Sequence, residues 1–92
     1  MLETFTADTF TPLLHEQFEV SAGDGRVDLE LVEVTESDAP GEKRRAQFSI
    51  VFSGSAEPIL PQGIYRLEHP KLGAFELFLV PIAAGRYEAV FT

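Results

Sequence analysis

The tightest constraint on this chain lies in residues 61–81, where side chains alternate in character on both sides of His69-Pro70-Lys71-Leu72-Gly73. Before that segment, Tyr65, Leu67 and His69 share one face and Ile64, Arg66 and Glu68 the other. After it, Phe75, Leu77 and Leu79 fall on one face, and Glu76, Phe78 and Val80 on the opposite one. A repeat of two residues belongs to extended backbone, because successive Cβ atoms point to opposite faces. Pro70 presets φ for a tight turn, and Gly73 allows a left-handed residue at its exit. The stretch therefore predicts a β-hairpin. Its second strand is apolar on both sides, which predicts a central strand covered on both faces.

The rest of the chain follows the same period. Phe18, Val20 and Ala22 alternate with Glu19 and Ser21, and Gly23-Asp24-Gly25 then turns the backbone. Val27, Leu29 and Leu31 face inward in the next run, but the apolar phase slips at Leu31-Val32 and resumes with Val32 and Val34. One inserted residue, a β-bulge, repairs such a slip. Residues 36–45 predict a solvated loop and residues 46–53 a strand with Phe48, Ile50 and Phe52 inward and Val51 outward. Residues 54–63 are a connection stiffened by Pro58 and Pro61. Ala83-Ala84-Gly85 turns into a last strand over residues 86–91, with Tyr87, Ala89 and Phe91 inward. The one helical pattern covers residues 6–15: Thr6 can cap it, Asp8 suits its positive end, and Phe10, Leu13 and Leu14 share a face. Pro12 keeps that helix short or distorted, and His15 closes it. The sum is a mainly β single domain spanning residues 1–92. It is a small antiparallel barrel or sandwich of about six strands with one short N-terminal helix.

Charge narrows the partners. Seven Lys and Arg stand against 15 Asp and Glu, a net charge of −8, which disfavours nucleic acid and favours a basic partner. The one cationic cluster, Lys43-Arg44-Arg45, falls in a predicted loop beside Pro40-Gly41. The chain has no cysteine, so neither a disulfide framework nor a thiolate metal site is available. No apolar run is long enough for a membrane helix, and Met1-Leu2-Glu3-Thr4 does not open like a signal peptide; the expectation is a cytoplasmic protein without membrane contact.

No constellation with evident chemistry emerges. The serines lie outside any Gly-x-Ser-x-Gly elbow, and Ser53-Gly54-Ser55 reads as a strand end. His15 and His69 have no metal-ligand spacing around them. Asp24-Gly25-Arg26-Val27-Asp28 lacks the alternating oxygen ligands of a calcium loop, and the glycines are scattered singly rather than forming a phosphate cradle. The residue set predicts no catalytic residues, no cofactor, no metal and no enzymatic activity.

The wording of the hairpin is also informative. Pro61-Gln62-Gly63-Ile64-Tyr65-Arg66-Leu67-Glu68-His69-Pro70, then Leu72-Gly73, Phe78-Leu79-Val80-Pro81 and Gly85-Arg86-Tyr87-Glu88-Ala89-Val90-Phe91, resembles the DUF6916 type of short bacterial proteins. Residues 10–18 and Leu29-Glu30-Leu31-Val32-Glu33-Val34 are similar to that family's opening, so the likeness spans nearly the whole chain. His15-Glu16 departs from it, standing where a helix-ending glycine is expected. The resemblance transfers no activity and no functional residues; it implies an assembly or accessory role beside a phage-tail-like collar or fibre protein.

Three functional classes follow as expectations. The leading one is a non-enzymatic binding or assembly module whose partner is another protein. The second is a small acidic inhibitor or immunity-like protein that covers a basic surface, and the third a small-ligand carrier or enzyme. Gln62, Tyr65, His69, Phe78 and Tyr87 are the candidate binding residues, with Gln62, Gly63, His69 and Gly73 as turn and loop positions. The outward Phe78 and Val80 still need cover, and Phe10, Leu13 and Leu14 of the helix, with Val51 and Ile64 alongside, are the apolar surface that can supply it. Helix cover predicts a monomer in preference to a homodimer.

Overall fold

The computed structural model describes residues 5–22, 25–37, 47–54 and 60–91. A four-residue α-helix, α1 (Ala7–Phe10), runs into a 3-10 turn (Thr11–Leu13). Six strands follow: β1 (Gln17–Ala22), β2 (Gly25–Ser37), β3 (Gln47–Ser53), β4 (Gly63–His69), β5 (Gly73–Ala83) and β6 (Arg86–Phe91). Every pairing is antiparallel, and the order β1-β2-β3-β6-β5-β4 closes on itself through β4 and β1. Of the two architectures the pattern allows, the chain adopts the barrel. Closure gives each of the six strands a neighbour on both sides.

Alternation decides which residues fill the interior. Phe18, Val20, Leu29, Leu31, Ile50, Phe52, Leu67, Leu79 and Tyr87 are almost wholly buried in one cluster, with Phe75 and Leu77 at its margin. The phase slip in β2 is a register shift between Leu31 and Glu33 in the pairing with β3. Val32 is the inserted residue. It is half-buried and Val34, not Val32, resumes packing on the core. A second irregularity separates Pro81 from Ala83 and leaves Ile82 exposed. It falls near the end of β5, where the absent N–H of Pro81 is least disruptive. The loop predicted over residues 36–45 begins later than its sequence suggests, since β2 continues to Ser37. Gly23-Asp24, Ala46, the cluster Lys43-Arg44-Arg45, Ser55 and Pro58 lie outside the described residues.

The N-terminal segment corrects one expectation. It does not lie on the outer face of β5; it plugs one mouth of the barrel. The backbone N–H of Thr6 donates to Thr9 Oγ1 at 3.0 Å, and the N–H of Thr9 donates to the Thr6 carbonyl at 2.9 Å, which starts the helix. Thr11 Oγ1 donates back to the Ala7 carbonyl at 2.9 Å. Pro12 is accommodated in the 3-10 turn. Phe10, fully buried, then sits among the rings of Phe5, Phe18, Phe48, Phe75 and Phe91 at centroid distances of 5.4 to 6.4 Å. The reason is partly one of reach. Residues 14–16 join the 3-10 turn to β1 and span about 10 Å at most, too little to carry the helix around β4 to the outside of β5. The mouth is also the better site, because Phe10 completes an aromatic cluster there.

β5 does lie between β4 and β6 with Phe75, Leu77 and Leu79 buried, but with the helix at the mouth the expected cover of its outer face is not there. Phe78 stays 51% exposed and opposite it Ile64 stays 68% exposed. In a closed barrel every strand has two neighbours, so an apolar outer face no longer marks a central strand. Val51, expected to lie outward as spare surface, is buried although it is not part of the interior cluster.

The link from the plug to β1 contains the one non-glycine residue with positive φ among the described residues, His15 at φ 72°. A helix-ending glycine is the residue expected at His15-Glu16, and positive φ is the conformation glycine adopts most readily. Its N–H donates to the Leu31 carbonyl at 2.6 Å, and the N–H of Leu31 donates to the Glu16 carbonyl at 3.0 Å, so β2 holds the backbone there. Its ring pairs at 3.2 Å with Glu30, but both side chains are well exposed and the pair contributes little. A left-handed backbone costs an ordinary residue about 1–2 kcal/mol. We therefore expect His15→Gly to be as stable as wild type or more stable, and His15→Val to lose about 1–2 kcal/mol. Urea titration distinguishes these outcomes, and equal losses in both variants would refute the strain.

Candidate binding surfaces

The five candidate binding residues do not come together. Tyr87 is 1% exposed, and its hydroxyl accepts the backbone N–H of Leu60 at 2.9 Å, deep inside the barrel. Tyr65, at the same end, donates its hydroxyl to the Pro61 carbonyl at 2.6 Å, while Gln62 beside it is exposed. These two tyrosines anchor the incoming segment at residues 60 and 61 to the mouth opposite the helix. Phe78 stands on the outer wall.

His69 is at the helix-plugged end, where it is buried against Phe18 with ring centroids 4.6 Å apart. Its Nδ1 accepts the backbone N–H of Lys71 at 3.0 Å, which fixes the proton on Nε2, and Nε2 then donates to Glu16 Oε1 at 2.8 Å. One ring thus ties the β4–β5 turn to Glu16, the residue just before β1. The turn is closed by the N–H of Leu72 donating to the His69 carbonyl at 3.1 Å, and Gly73 follows at φ 78°, as the hairpin sequence predicts.

Two outer walls of opposite character remain. Register sets the first. Asp28 faces Glu19 across β1 and β2, and Glu19 faces Glu68 across β1 and β4. Three carboxylates therefore stand abreast, an arrangement that disfavours the sheet. Arg26 reaches Glu19 at 3.2 Å and Arg66 reaches Glu68 at 3.4 Å from the adjoining rows, both partly solvated. These carboxylates border an open groove of about 580 Å³ that Gln17, His69 and Pro70 also line. Among the described residues no group of His, Asp and Glu has the arrangement of a metal site.

The second wall is the outside of β4, β5 and β6. Ile64 faces Phe78 across β4 and β5, and on β6 Val90 lies two residues beyond Glu88, which faces Val80, on the same outward side. Val90 is 62% exposed and Ile82 51%. The result is an apolar row across three strands, with Arg66 and Glu76 paired on one side of it and Val80 and Glu88 paired on the other. Ile64 and Phe78 could be read as outward from alternation alone. Val90 could not be added to them, because only strand pairing shows that β6 lies beside β5.

The class defined by these features is a small closed antiparallel barrel, plugged by an N-terminal helix, with one acidic and one apolar outer wall. The sequence matches the family described as "Domain of unknown function (DUF6916)" over residues 5–91, and the chain belongs to that family. No curated protein and no solved structure matches it. No helix among the described residues is long and apolar enough to cross a membrane.

Proposed function

We infer that this protein is a non-enzymatic binding or assembly module whose work is done by its outer walls. The observation that carries the reading is the uncovered row Ile64, Phe78 and Val90. Ile64 and Phe78 facing each other across β4 and β5, with Val90 exposed on the outer side of β6, fit a surface made for association. Packing inside the barrel supports the same view. Aromatic and aliphatic side chains occupy the interior, and both histidines have structural partners. The family resemblance suggests the setting, accessory to a phage-tail-like collar or fibre protein.

The acidic row favours a second reading, an inhibitor-like protein that covers a basic surface. One experiment addresses both. Tagged wild type, Phe78→Glu and Glu19→Lys are used for affinity capture from the native host at low and high salt. The assembly reading expects a protein retained by wild type and lost with Phe78→Glu. The inhibitor reading expects salt-sensitive capture that is lost with Glu19→Lys instead. Failure of folded wild type to retain any protein, itself included, would overturn both.

A further inference from the structure

The geometry points to a second copy of this chain as the occupant of the apolar wall. This rests on the reading of that wall as an association surface and goes on to name what associates with it. Phe78 is the centre of the wall. Arg66 lies one step from it on the β4 side, toward the His69 end of the barrel. Glu88 lies one step from it on the β6 side, in the opposite direction. The two charges are thus diagonal about Phe78. A twofold axis in the contact plane, passing Phe78 and crossing that diagonal, brings Arg66 of each copy to Glu88 of the other and sets the two Phe78 rings together. An isologous contact requires this kind of self-complementarity.

The distribution of charge supports the same occupant. A net charge of −8 opposes association of like chains. Among the described residues, however, β1 and β2 carry five acids, Glu19, Asp28, Glu30, Glu33 and Glu36, against one cation, Arg26. In the six-strand order, β2 is directly across the barrel from β5, and β1 from β6. On the apolar wall Arg66 and Arg86 offset two of its three acids, Glu68, Glu76 and Glu88. It is therefore the side on which two copies can approach with their acidic walls turned outward, beyond a screening length of about 8 Å. The contact of Arg66 with Glu68 at 3.4 Å is half-exposed and loose enough to be shared with a partner carboxylate. The helix plug removes the reason to expect a monomer, since it leaves Phe78 uncovered. The dimer would display two acidic rows facing away from each other, which suits a partner with two basic sites.

Sedimentation equilibrium across a concentration series tests the proposal. Wild type is expected to run at twice the chain mass of 10.2 kDa, and Phe78→Glu at the chain mass with its circular dichroism unchanged. Arg66→Glu and Glu88→Arg should each raise the dimer Kd by about tenfold or more, since each sets like charges together at two symmetric contacts. The double variant, with the charges exchanged, should recover most of that loss. Wild type at single-chain mass up to its solubility limit would overturn the proposal. So would a double variant no better than the singles, even if Phe78→Glu failed to fold. A monomeric wild type that still loses a captured protein through Phe78→Glu would leave the binding reading standing and remove only the second copy.

Discussion

Replacing Phe10 by alanine should lower stability by about 3–5 kcal/mol, the range for deleting a buried phenyl ring. For a domain of this size each kcal/mol moves the melting temperature by about 4–8 °C, so the shift should exceed 10 °C by differential scanning calorimetry. The expectation comes from position rather than from size alone. Phe10 has no exposed surface and lies among five other rings, of which Phe48 and Phe91 also stack on each other at 4.3 Å. Removing it leaves a cavity lined by side chains that belong to four different strands, which cannot all collapse inward together. Had the helix lain on the outer wall, its loss would have been close to that of a surface contact. A decrease under about 1 kcal/mol would therefore show that the mouth is not plugged as described.

Gly73→Val should be the most damaging change in the β4–β5 turn, by roughly 2 kcal/mol or more, while Lys71→Ala stays within about half a kcal/mol. Space is not the issue, because a Cβ at Gly73 would meet nothing within 4 Å. The φ of 78° is the issue: a β-branched residue is strained there, and relief means opening the turn that holds His69 over Phe18. Lys71 uses only its backbone N–H in this turn, and alanine retains it. Guanidinium titration of both variants provides the comparison. Equal losses would mean that side chains, and not backbone conformation, set the turn.

These two positions also mark the division between what could be read in advance and what could not. Gly73 and the hairpin around it were legible because a turn and its flanking alternation are local: Pro70, the glycine and the period of two lie within a dozen residues. The bulge at Val32 was legible for the same reason, since a phase slip of one residue is visible in the string itself. The role of Phe10 was not. Its apolar face with Leu13 and Leu14 was evident, but the same face could cover the outside of β5 or stop a barrel mouth. Only closure of β4 onto β1, a contact between distant segments, creates a mouth to fill. His69 was visible as a turn residue, but its hydrogen bond to Glu16 joins residues far apart in the chain.

The candidate site divides along the same line. By itself the sequence determined that Ile64, Phe78 and Val90 each point away from the core, and that Asp28, Glu19 and Glu68 do so as well, because alternation sets the face of a residue wherever the strand is regular. It also determined an acidic, mainly β, thiol-free chain. Tertiary structure alone decided which of those outward residues are neighbours. Strand order put β5 between β4 and β6 and gathered the apolar side chains into one row, and it put β1 between β2 and β4 and gathered three carboxylates into another. A strand carries its own facing pattern in its local sequence, whereas the identity of the strand beside it depends on which non-local pairing closes the sheet with the core inside.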